Sequence, residues 1–170
     1  GDYASLALAI ADLNAQGVGA GGVTVNLVAG NSQTTPAGGY VIGNAGNISL
    51  GGTNPTAANP VIIQGNGNTI TAFTPQTSGS LNDAIFKLIG ADYITLTGFT
   101  MQENAANTTT TEASNNMTEF GVALLRASTT NGAQNNTIQN NTISLVRTYQ
   151  NTFGIYSNVM HSATLVTILS

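Results

Sequence analysis

Leu6, Ala9, Ile10 and Leu13 recur at the spacing of one helix face, with Ser5 placed to cap the start and Gly17 to stop the end. This spacing predicts a helix of about three turns within residues 1–17, laying one apolar face on a core. After the connector "VGAGG" the period changes. "VTVNLVAG" alternates apolar and polar residues as a half-buried strand does. From residue 40 onward nothing reads as helical. Short apolar runs are broken by Gly and Asn, as in "YVIGNAGNISLGG", "NPVIIQGNGNTITAF", "DAIFKLIGADYITLTGFTM" and "NNTIQNNTISLV". These runs predict short strands joined by tight corners.

The runs repeat. The phrase "GADYITL" at 90–96 returns as "GAQNNTI" at 132–138 and "SATLVTI" at 162–168, with Ala second, Thr sixth and Leu or Ile last. The central apolar residues of the Thr-flanked strands, Val25, Ile48, Ile70, Leu96, Ile138 and Ile168, give a smallest spacing of about 22–26 residues; the wider steps read as that unit with an insertion. A second ladder precedes the first: "VII" at 61–63, "AIF" at 84–86, "GVALL" at 121–125 and "GIY" at 154–156. Phe120-Gly121-Val122 and Phe153-Gly154-Ile155 repeat almost residue for residue. A unit this short cannot bury its own apolar positions, whereas stacked copies can, which is the logic of a solenoid. Asn at recurring corners suits stacked amides and left-handed backbone.

With a helix at the N-terminus, such coils and "NNTIQNNTI"-type segments, the chain resembles a right-handed parallel β-helix of the pectate-lyase-like superfamily over essentially all of residues 1–170. The resemblance implies an all-β, right-handed parallel β-helix (solenoid) of about six coils with an N-terminal capping α-helix. A single domain is expected, with the helix cap in 1–17 and the coils in 23–170. That superfamily includes lyases, glycosidases, phage tailspikes and non-catalytic surface proteins, so the fold does not select an activity. The Thr/Asn-rich texture is similar to repeat regions of secreted bacterial β-helix surface proteins.

The extra residues fall at one phase of the repeat, after a Thr-flanked strand and before the next leading strand. They form loops near 71–82 and 102–119 and a shorter one at 147–152. Insertions at one phase project from one face of a solenoid, which is often its binding face. The loop 102–119 is the largest and carries Glu103, Glu112 and Glu119, the candidate binding residues.

Charge narrows the partners. Charged residues are 6% of this 170-residue chain, against about 25% in ordinary soluble domains. The net charge is -4, and Lys87, Arg126 and Arg147 are the only cations. Neutralising nucleic-acid phosphates needs a basic surface, so nucleic acid is not an expected partner. No apolar run reaches the roughly 18–20 residues of a membrane span, so membrane insertion is not expected. Cys is absent, which removes disulfide and thiol chemistry.

Catalysis also finds little material. Lyases related by fold need a carboxylate cluster for Ca²⁺ and a cationic base, and hydrolases need several acids on adjacent strands. The acids are Asp2, Asp12, Asp83, Asp92, Glu103, Glu112 and Glu119, without DxD-type spacing. Asp83/Asp92 and Glu112/Glu119 are near each other along the chain. His161 is the single histidine, too few for a zinc site. No catalytic residue, metal or cofactor is therefore expected.

The function expected is a non-catalytic extracellular or cell-surface module, structural or adhesive. The alternative is a polysaccharide-active lyase or glycoside hydrolase with its site under the 102–119 loop. The chain stops at "TLVTILS" with no helix, Pro or charge after it, which predicts an open last coil. Self-association or continuation of the solenoid through that coil, head to tail into a fibre, is the expected partnership. Carbohydrate is the second class.

Overall fold

The computed structural model describes residues 2–43 and 54–158. The Ile48 anchor, His161 and the third echo "SATLVTI" lie outside them.

The helix forms as its spacing dictates. α1 spans Leu6–Gln16; the Ser5 side chain accepts from Leu8 N, and Gly17, at φ 73°, returns its N–H to Leu13 O. Leu6, Ala9, Ile10 and Leu13 are its buried face. Asn14 fastens the helix to the first rung, donating to Val41 O at 2.8 Å and accepting from Gly43 N at 3.0 Å. One amide thus satisfies half-buried backbone groups at the edge of the strand Tyr40–Gly43.

Among the described residues the strands are β1 (Val23–Asn26), β2 (Gln33–Thr34), β3 (Tyr40–Gly43), β4 (Val61–Gln64), β5 (Thr69–Thr71), β6 (Ala84–Ile89), β7 (Ile94–Thr97), β8 (Thr100–Gln102), β9 (Phe120–Leu125), β10 (Thr137–Gln139), β11 (Thr142–Ser144) and β12 (Phe153–Ser157). They build three four-stranded sheets, β1-β4-β7-β10, β2-β5-β8-β11 and β3-β6-β9-β12, and all inter-strand pairs are parallel. The chain visits the three sheets in the same order four times. Stacked parallel strands of this kind fit a solenoid, and the described residues make four rungs where about six coils are expected of the whole chain.

Alternation sets the core. β4 and β7 bury every second residue, so Val61, Ile63, Ile94 and Leu96 point inward and are fully covered. Ile42, Ile70, Leu88, Met101 and Val122 join them from the other sheets. The rings of Tyr40, Phe86 and Phe99 run through this core with centroids 5.2 and 5.3 Å apart.

Each turn carries three strands, and this corrects the expected repeat. Ile70 and Leu96 do not stack: Ile70 pairs with Met101 in the second sheet, while Leu96 lies between Ile63 and Ile138 in the first. Val25, Ile63, Leu96 and Ile138 are true equivalents, at steps of 38, 33 and 42 residues. Likewise "VII" belongs to the first sheet, apart from the other leading strands. Those others do stack, with Phe120 on Phe153 and Val122 on Ile155.

The echo "GADYITL"/"GAQNNTI" is in register, with Thr95 on Thr137 and Leu96 on Ile138. Its fourth position is left-handed in both copies, at Tyr93 (φ 52°) and Asn135 (φ 55°). The loops 72–83, 103–119 and 145–152 all join a second-sheet strand to a third-sheet strand, so they leave the solenoid at one corner, as their shared phase predicts.

Candidate functional site

That corner is a stack of inserts docked on one another. Asn104 and Asn107 donate to Ala72 O and Phe73 O at 3.2 and 2.9 Å. Gln76 donates to the Thr118 hydroxyl at 2.9 Å, and Asn115 donates to Ser80 O at 3.0 Å. Leu81, Met117 and Tyr149, one from each insert, form a small apolar cluster with Val146 packed against it. Carboxamides and hydroxyls supply donors and acceptors where the backbone leaves its ladders, which lets irregular chain be buried.

Two of the three expected binding acids, Glu103 and Glu119, make internal hydrogen bonds at the two ends of the largest insert. The Glu103 carboxylate accepts from Asn104 N, the Asn107 amide, and the amide and hydroxyl of Thr118, at 2.8–2.9 Å. It ties the start of the insert to its end. Glu119 is fully buried: Oε1 accepts from the Tyr149 hydroxyl at 2.8 Å and Oε2 from Asp83 N at 2.9 Å. Glu112 opens a short 3-10 turn, Glu112–Ser114. The carboxylates of Glu103 and Glu119 are therefore used to shape the corner and do not form one open acidic surface.

Asp83 precedes β6 as Glu119 precedes β9, and the strands' first residues, Ala84 and Phe120, pair. Burial pushes the Glu119 carboxyl up to about 8, with the neighbouring Asp83 charge adding to it and hydrogen bonds from Asp83 and Tyr149 opposing it. Burial raises Asp83 too, although Lys87 counteracts it. Lys87 on β6 is lowered by its own desolvation, against the pull of Asp83 and Glu119. Tyr149 is raised, again mainly by burial.

Beside the stack lies an open cleft of about 660 Å³. Gln102, Asn107, Thr108 and Ser144 give it polar walls, with Met117 and Val146 among its apolar lining. A second cavity, of about 470 Å³, is lined in part by Arg126, Thr129 and Gln134. Arg126 is exposed and donates to Thr129 O at 3.2 Å. Among the described residues, no three His, Cys, Asp or Glu side chains gather as a metal site, and no helix is long and apolar enough to cross a membrane.

No protein-family model matches the chain, and neither a characterised protein nor a solved structure matches it significantly.

The chemistry of the corner therefore rests on its own residues. The cleft, which Glu103 also lines, can hydrogen-bond a polar ligand over an apolar patch. Burial favours the protonated form of Glu119 up to about 8 and pushes Asp83 in the same direction. Sequence neighbours suggested Asp83/Asp92 and Glu112/Glu119, but stacking brings together Asp83 and Glu119 instead. Asp92 serves the echo, its Oδ1 accepting from Gln134 N at 2.6 Å. The missed signal was present: an acid stands immediately before two of the third-sheet strands, in "DAIF" and "EFGV".

Proposed function

We propose that this chain is a non-catalytic, right-handed β-helix module of pectate-lyase-like type, structural or adhesive, in a secreted or cell-surface protein. The observation that carries this reading is the use made of the acids. Asp92, Glu103 and Glu119 accept hydrogen bonds that close a loop or join one rung to the next. A module selected for stacking spends its few carboxylates this way.

Head-to-tail association is part of the proposal. β10, β11 and β12 are the outer strands of the described sheets. Their inward apolar residues are less covered than in the rung beneath: Ile155 is 52% exposed where its partner Val122 is 0%. Phe153, beside it, is 48% exposed. A further layer of the same kind would bury both side chains and continue the ladder.

One observation favours the alternative, a polysaccharide-active lyase or hydrolase. Two buried carboxylates with raised pKa near a cleft are what a general acid requires. Full burial of Glu119 argues against its meeting a polymer. Neutral and acidic polysaccharides incubated with the protein decide the matter. The module reading expects no new reducing ends and no unsaturated products. Cleavage that disappears in Glu119→Gln would establish the enzyme instead.

A further inference from the structure

Glu119 joins three successive inserts. It closes the second, accepts from Asp83 N of the first, and accepts from the Tyr149 hydroxyl of the third. The backbone repeats the link: Glu119 N and Phe120 N both donate to Asp83 O, at 3.1 and 3.0 Å, and Phe153 N donates to Glu119 O at 2.7 Å. The column is buried, with Asp83 3% and Glu119 0% exposed, and Asp83 Oδ2 makes no hydrogen bond to another protein group. Asp83 and Lys87 approach from the first insert and β6, and Tyr149 from the third insert. Glu103 lies beyond Thr118, whose amide and hydroxyl it holds.

We propose that Glu119 is a proton-controlled clamp on the insert stack: uncharged, it holds the three inserts closed, and ionised, it loosens them and reshapes the cleft, while the three sheets stay intact.

The argument starts from charge. Two carboxylates that both ionise in a buried column repel each other and lose hydration, and Lys87 is itself desolvated and offsets this only in part. The neutral form can keep the 2.8 Å contact with Tyr149, because a protonated carboxyl retains an acceptor oxygen and a phenol hydroxyl both donates and accepts. Ionisation therefore strains a side chain that spans all three inserts. Met117, beside Tyr149 in the apolar cluster, also lines the cleft, so loosening at Glu119 reaches that surface directly. The strands behind are held by ladders and by an apolar core that carries no charge. With Glu119 moved up to about 8, the transition falls in mildly alkaline water.

Amide hydrogen exchange, corrected for intrinsic rates, tests this at about pH 6 and about pH 9.5. Amides of 103–119 and 145–152 should lose roughly tenfold or more in protection at the higher pH, with β4 and β7 unchanged. Glu119→Gln, neutral at both pH values, should remove the difference. The same loss in that variant, or none in the native chain, overturns the clamp. If the variant fails to fold, the carboxyl ¹³C titration of Glu119 in the native chain decides. A midpoint near 8 supports the proposal, and one in the ordinary carboxylate range ends it.

Discussion

Asn136 accepts a hydrogen bond from Ile94 N at 2.9 Å and donates one to Ala91 O at 2.8 Å. One carboxamide thus spans the corner of the rung beneath it. Asn141 does the same a few residues later, accepting from Phe99 N and donating to Leu96 O, both at 2.9 Å. These brackets satisfy backbone groups where the chain leaves one sheet for the next, and they fix the register of the rung above.

Replacing Asn136 or Asn141 with Ala should therefore cost about 1–3 kcal/mol each, because both a donor and an acceptor of the lower rung lose their partner. Asp at either position keeps the acceptor and loses the donor, so it should fall between Asn and Ala. Urea unfolding of the four variants against the native chain measures this; Ala variants as stable as the native chain would refute the bracket.

The repeated phrase Phe-Gly-Val/Ile predicts unequal glycines. A Cβ on Gly121 would lie 2.6 Å from both Gly154 O and Ile143 Cγ2, whereas one on Gly154 meets nothing within 4 Å. Gly121→Ala should destabilise by about 1–3 kcal/mol through overpacking, and Gly154→Ala should be close to neutral. Thermal denaturation of the pair reads the contrast directly.

Stability should fall as pH rises from the ordinary carboxylate range towards about 8. The Glu119 carboxyl titrates higher in the folded chain, at about 8, than in the unfolded chain, so the folded state binds the extra proton. Its stabilisation is complete below the ordinary carboxylate range and is lost as pH rises through that range towards about 8. The slope approaches about 1.4 kcal/mol per pH unit for one proton. Asp83, also raised by burial, acts in the same direction. Urea midpoints measured between about pH 5 and pH 8.5 should decline for the native chain and decline much less for Glu119→Gln. A profile that rises with pH would contradict the burial of a protonated acid.

Much of this architecture is legible in the sequence because it is local. Helical spacing with Ser5 and Gly17 fixes α1, and the echo at 90–96 and 132–138 fixes the register of β7 and β10. The shared phase of the insertions fixes their common corner. The length of a turn was misread because "TIT" at 69–71 and "TLT" at 95–97 look alike but lie in different sheets, three strands making one turn. The surroundings of the acids are not legible in the sequence for a related reason. Sequence neighbours are not stack neighbours, so Glu119 meets Asp83 and Tyr149 across the rungs while Glu112 opens a separate turn. Nothing in composition distinguishes an acid buried in such a column from one on a loop surface.

The module reading is tested most directly by sedimentation velocity over a wide concentration range, on the native chain and on a variant carrying Phe153→Glu and Ile155→Glu. Ile155 lies over Val122 and Phe153 packs beside Phe120 and Tyr156, so the variant should lose some thermal stability. Far-UV circular dichroism checks that it keeps its strands before the two are compared. The native chain should associate as concentration rises, and the variant should stay monomeric. A native chain that remains monomeric throughout, or a variant that associates as strongly as the native chain, would contradict stacking through this rung.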